Sequence, residues 1–124
     1  MMVHLLNIIL AVFPPPMVAL ESGDTVTIVG GTSAERMQHF PWFEAGLRAA
    51  YPETELHVRN FGWSADEFGL QPRPYKFAGM DAHLDRVSTD VLIAWFGMSE
   101  SFAGGDGLIA FEQNLNTWLD HHAS

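Results

Sequence analysis

The sequence predicts an α/β domain built on a parallel sheet, and three observations lead there. Three strand-like runs are each followed by a stretch with helical spacing, the order of a repeated strand-helix unit rather than of hairpins. Two of the runs, Thr25-Val26-Thr27-Ile28-Val29 and Val91-Leu92-Ile93-Ala94-Trp95-Phe96, read as apolar on both faces, as a sheet covered on each side requires. All three runs end in polar turns that contain glycine, where open α/β sheets hold their ligands.

The elements follow in order. Glu21-Ser22-Gly23-Asp24 is a turn that introduces the first strand, which stops at Gly30-Gly31. Thr32 or Ser33 is expected to cap a helix with Glu35 among its early residues. Met37, Phe40, Phe43, Leu47 and Ala50 continue it at helical spacing, with Pro41 marking a break or restart. After Tyr51-Pro52-Glu53, the stretch Glu55 to Asn60 alternates Leu56 and Val58 with polar residues and predicts the second strand. Phe61 to Gly79 is expected to be a long loop holding at most one helical turn. Met80 to Val87 is a helix with Met80, Leu84 and Val87 on one side. The third strand ends at Gly97, and the glycine-rich loop Ala103-Gly104-Gly105-Asp106-Gly107 leads to a last helix bearing Leu108, Phe111, Leu115 and Leu119.

Composition narrows the function classes. The 124 residues suffice for one compact domain, and 48% hydrophobic with 12% aromatic residues excludes a disordered chain. The net charge of −9 argues against nucleic acid and against an anionic membrane surface, since both need clustered cations. No Lys or Arg follows Arg86, whereas Asp90, Glu100, Asp106, Glu112 and Asp120 do. With no cysteine, there is no disulfide, thiolate zinc site, c-type haem attachment or cysteine nucleophile.

Residues 1–20 read as a leader. Leu5 to Phe13 is apolar but too short to span a bilayer, and Pro14-Pro15-Pro16 and Met17-Val18-Ala19 follow it. This is the layout of a secretory signal peptide cut near Ala19, although the amino end lacks Lys and Arg; the alternative is a disordered or edge-packing leader. A signal peptide implies export to the periplasm or the extracellular space, and its absence a cytoplasmic protein. Residues 21–124 form the domain itself.

The three turns carry a resemblance. Gly30-Gly31-Thr32 closes the first strand, Asn60-Phe61-Gly62-Trp63-Ser64-Ala65-Asp66 the second, and Gly97-Met98-Ser99-Glu100-Ser101 the third. Over residues 24 to 122, the chain resembles blocks I, II and III of the SGNH, or GDSL-like, hydrolase superfamily. The closest likeness is to SGNH-like domains of secreted multidomain bacterial proteins that also carry a haem module, which is not present in this sequence. The resemblance implies a flavodoxin-like three-layer α/β/α sandwich with a parallel sheet, here as its amino-terminal portion, and an ancestral esterase or acyl-ester hydrolase activity.

What the resemblance implies for the site is specific. Thr32 stands at the nucleophile position, where the family has serine, and its extra methyl crowds attack. Ser33 can replace it only if the turn shifts by one residue. The Thr32 and Gly62 backbone amides and the Ser99 side chain occupy the three oxyanion-donor positions; Ser99 stands where the family has asparagine. Gly31, Ser33, Asn60, Trp63, Ser64, Asp66, Gly97 and Glu100 are the expected ligand-binding residues around them. The family's Asp-x-x-His block, which carries the base, has no copy in this sequence, so the chain is expected to be truncated before it.

Other candidates have plainer readings. Asp120-His121-His122 reads as a solvated helix end, because adjacent helical positions point about 100° apart. His39 reads as a rim residue, His57 as a solvent-facing strand residue, and His83 with Asp85 and Arg86 as an exposed helix face. No His, Asp or Glu group has metal-ligand spacing along the chain, so neither metal nor cofactor is expected. Trp63 is expected to wall the crevice, and Asp66 to fix its loop by accepting backbone hydrogen bonds. Arg59 is either a counter-charge to Asp66 or Glu100, or a solvated strand-edge residue. Glu100 is either a crevice carboxylate or a loop cap.

The leading functional expectation is therefore an SGNH-like ester hydrolase domain, impaired as this chain. The alternative is a non-catalytic module binding a small ester or a carbohydrate with the same crevice. A phosphate-binding turn at Gly30-Gly31-Thr32-Ser33 is the weakest reading, since it lacks the P-loop lysine and the dinucleotide glycine spacing.

Overall fold

In the computed structural model, residues 18–123 are described. The expected signal peptide falls almost entirely outside them. The strands are β1 (Thr25–Gly30), β2 (His57–Asn60) and β3 (Val91–Trp95). The helices are α1 (Thr32–Arg36), α2 (Trp42–Ala50), α3 (Met80–Val87) and α4 (Leu108–His122), with a 3₁₀ helix over Glu100–Gly107.

The sheet is parallel throughout and open, in the order β2-β1-β3. This α/β arrangement is compatible with a flavodoxin-like fold. β1 is central and every one of its residues is buried, which its β-branched composition suits. Val26 and Val29 are fully buried, and burying a side chain of this kind contributes about 1.5–3 kcal/mol. Thr27 is as deep, and a buried hydroxyl is costly without a partner. Its Oγ1 lies 2.8 Å from Thr89 Oγ1, and Thr89 in turn donates to the Leu84 carbonyl, so Thr27 is the donor to Thr89. That relay ties β1 to the end of α3.

Helices cover both faces. Ile28 and Val58 share a small cavity with Met37 and Phe43, and Phe43 meets Trp95 edge-on, so α1 and α2 lie on that side. On the other side, Thr27 meets Thr89, and Leu92 shares a groove with Leu84, His121 and His122, so α3 and α4 lie there.

Several expectations need correction. Neither Thr32 nor Ser33 caps α1; Gly31 holds that position and the helix begins at Thr32. The second strand starts at His57, two residues later than its alternation suggests. Phe61 to Gly79 is the long loop expected, without a helical turn, whereas the glycine-rich stretch is not a loop but part of the 3₁₀ helix, broken at Gly104. β3 is not buried on both faces: Ala94 and Trp95 are exposed, because it is an edge strand. The apolar face of α4 is turned from the expected one. Phe111, Leu115 and Trp118 face inward while Leu108 and Leu119 are exposed.

Candidate functional site at the carboxyl edge of the sheet

The turns after the three strands meet. The loop after β2 runs on along the end of β1, with the Phe61 amide donating to the Ile28 carbonyl and the Trp63 amide to the Gly30 carbonyl. The Ala65 amide then donates to Thr32 Oγ1 at 3.3 Å. The approach is close enough to demand glycine on both sides. A Cβ at Gly31 would lie 2.7 Å from the Asp66 carbonyl oxygen, and one at Gly62 would lie 2.6 Å from the Ala34 carbonyl carbon. The third turn joins through the Ser33 hydroxyl, which donates to Met98 Sδ at 3.1 Å.

Each expected site residue therefore has a place. Thr32 and Ser33 open α1 and are half-buried. The Thr32 amide lies in the first turn, so it has no partner within its helix. The Gly62 amide, by contrast, donates to Asn60 Oδ1 at 2.8 Å, while Asn60 Nδ2 donates to the Ala34 carbonyl at 2.8 Å. Asn60 thus locks the end of β2 to α1 and occupies the Gly62 amide. The Ser64 hydroxyl donates to the Glu35 carboxylate. Ser99 is half-buried, and its hydroxyl has no hydrogen-bond partner among the described residues. The Glu100 carboxylate accepts from the Gly97 amide at 2.9 Å and from the Phe68 amide at 3.0 Å, so it ties the third turn to the long loop.

One charge expectation changes, and the structure decides between the two readings of Arg59 in favour of an exposed strand-edge residue. Asp66 is buried, but its carboxylate accepts from the Arg73 guanidinium at 2.7 and 2.6 Å rather than from backbone amides. Arg59 is not its counter-charge, and its guanidinium donates to the Val58 carbonyl instead. The hydrogen bonds that Arg73 donates to Asp66 hold its pKa above its ordinary value, and burial opposes them.

Beside Gly62 opens a cavity of about 270 Å³, with Phe61, Trp63, Phe77 and Met80 as apolar walls and Gln38, Asn60, Arg73 and His83 as polar ones. Trp63 lies here as a wall, edge-on to Phe77 with ring centroids 5.4 Å apart, and Arg73 stacks 4.6 Å from its centroid. His83, expected on an exposed helix face with Asp85 and Arg86, is instead half-buried and lines this cavity. It sits between Phe61 and Phe77, at 5.8 and 5.2 Å, and its Nε2 is buried without a hydrogen-bond partner among the described residues. The one available signal was its place three residues after Met80, on the inward face of α3. Thr32 and Ser99 are not among the walls of this cavity.

No histidine is hydrogen-bonded to Thr32 among the described residues. The histidine pair at the end of α4 lies elsewhere: His121 and His122 meet Asp81 on the side of the sheet that carries α3. Sequence spacing grouped no metal ligands, whereas this group does come together in space. Burial pushes the His122 pKa down, the nearby His121 adds to that, and Asp81 opposes both.

A scan against protein-family models, a search of curated proteins and a search of solved structures each return no match for this chain. No helix among the described residues is long and apolar enough to cross a membrane.

Proposed function

We propose that this chain is an SGNH-like domain that binds a small ligand at the carboxyl edge of its sheet and does not itself hydrolyse esters. The hydrolase kinship is supported by the parallel order β2-β1-β3 and by the meeting of the turns that carry Thr32, Gly62 and Ser99. Absence of turnover is supported by the chemistry at those positions. A hydroxyl nucleophile needs a base within hydrogen-bond reach, and Thr32 has none among the described residues. An oxyanion needs free donors, and the Gly62 amide is already given to Asn60.

The observation that carries the binding reading is His83 Nε2, buried in the wall of the aromatic cavity without a partner among the described residues. A polar atom so placed costs free energy unless something pairs with it. A ligand with a flat face and a hydroxyl or carbonyl suits both the aromatic walls and this nitrogen. Sugar rings and short acyl esters have that form. Arg73 is neutralised by Asp66, so the polar ligand groups are expected to be uncharged.

The test uses a panel of oligosaccharides and short acyl p-nitrophenyl esters. We expect a panel member to quench tryptophan fluorescence without product formation, the quench to disappear in Trp63→Phe, and binding to weaken about tenfold in His83→Phe. Ester turnover abolished by Thr32→Ala would overturn the non-catalytic reading. Failure of the whole panel to bind would remove the binding one.

A further inference from the structure

We propose that Asp81, His121 and His122 form a binding site for a divalent transition-metal ion of the zinc class, at the junction of α4 with the first turn of α3. One ligand atom from each of the three residues lies within 4.8 Å of the other two. His121 Nε2 is 3.0 Å from Asp81 Oδ2, and the two imidazole rings stand 4.7 Å apart at 77°. A tetrahedral ion with bonds of about 2.0–2.1 Å needs its ligands about 3.4 Å apart. Small rotations of the three side chains reach that spacing. The side chains of Asp81 and His121 are 62% and 61% exposed, while His122 is half-buried against Trp118, so the two exposed groups make most of the adjustment.

The residue types select the ion. Two imidazoles and one carboxylate suit zinc, cobalt, nickel or copper, whereas magnesium and calcium prefer oxygen alone. Three protein ligands leave a fourth position for water, and an open groove of about 620 Å³ leads to it. Asp85 and Asp90 line the same groove and add negative charge that draws cations. Trp118 packs on the His122 ring at 4.3 Å and helps to orient it. Adjacent helical positions would ordinarily diverge. Here His122 is the last residue of the helix, and Asp81 lies close to both rings.

An ion at this place would clasp α4 to α3. No residue of α4 is fully buried, so a metal tie to α3 would add to the aromatic contacts that dock it.

The test is calorimetric titration of the whole chain, stripped with chelator, with zinc chloride, followed by visible spectroscopy of the cobalt form. We expect one equivalent of zinc, no heat with magnesium, and cobalt bands with four-coordinate intensity. His121→Ala, His122→Ala and Asp81→Asn should each weaken zinc about tenfold or more, and the exposed control His57→Ala should leave it unchanged. Far-ultraviolet circular dichroism is expected to be unaltered in all four variants. No stoichiometric zinc binding, or binding of equal strength in the double variant His121→Ala/His122→Ala, would overturn the proposal.

Discussion

The guanidinium of Arg73 lies between two partners: the Asp66 carboxylate in two hydrogen bonds, and the face of Trp63. Asp66 has 1% of its surface exposed, so removing the cation strands a carboxylate in a nonpolar setting. Arg73→Ala should lower stability by about 3 kcal/mol, read as the shift of the urea unfolding midpoint at constant slope. A loss below about 1 kcal/mol would mean that water reaches Asp66 when Arg73 is removed. At this scale the sequence was only partly legible. Asp66 stood out as a loop-fixing residue, but its partner lay seven positions on in a stretch without periodicity. Nothing local distinguishes Arg73 from Arg59, since only folding brings one cation and not the other to the carboxylate.

Elements were read better than residues. α3 spans Met80–Val87 as its spacing predicts, and β1 and β3 lie where their apolar runs place them. The heptad-like spacing of Leu108, Phe111, Leu115 and Leu119 chose a different face for α4 from the one it buries. The aromatic cluster decides the outcome, because Trp118 meets Phe68 at 5.5 Å and Phe96 at 6.1 Å, while Phe111 meets Phe68 at 5.7 Å. Large rings offer more area and edge-to-face geometry than leucine, so they win the interior. Trp118→Ala should cost about 3 kcal/mol and speed hydrogen exchange across residues 108–122 more than in β1. Uniform acceleration through the whole domain would show instead that α4 unfolds only with the core.

At the scale of the whole molecule, charge and topology govern behaviour. A net charge of −9 on a small domain makes the compact state repel itself. Salt should relieve that repulsion, so the thermal unfolding midpoint is expected to rise between about 10 mM and about 300 mM sodium chloride. A flat or falling midpoint would place the balance with attractive pairs such as Arg48 with Glu44.

Local pattern alone was enough for the fold class, since strand runs, glycine turns and helical spacing are all short-range properties written in adjacent residues. It also singled out the turns at Thr32, Gly62 and Ser99, which the structure brings together at the carboxyl edge of the sheet. Only the tertiary structure decided how those turns meet: that Asn60 occupies the Gly62 amide, that His83 is enclosed between Phe61 and Phe77, and that Asp81 joins His121 and His122. These are meetings of residues up to 41 positions apart, set by which surfaces pack on the sheet, and no spacing along the chain encodes them.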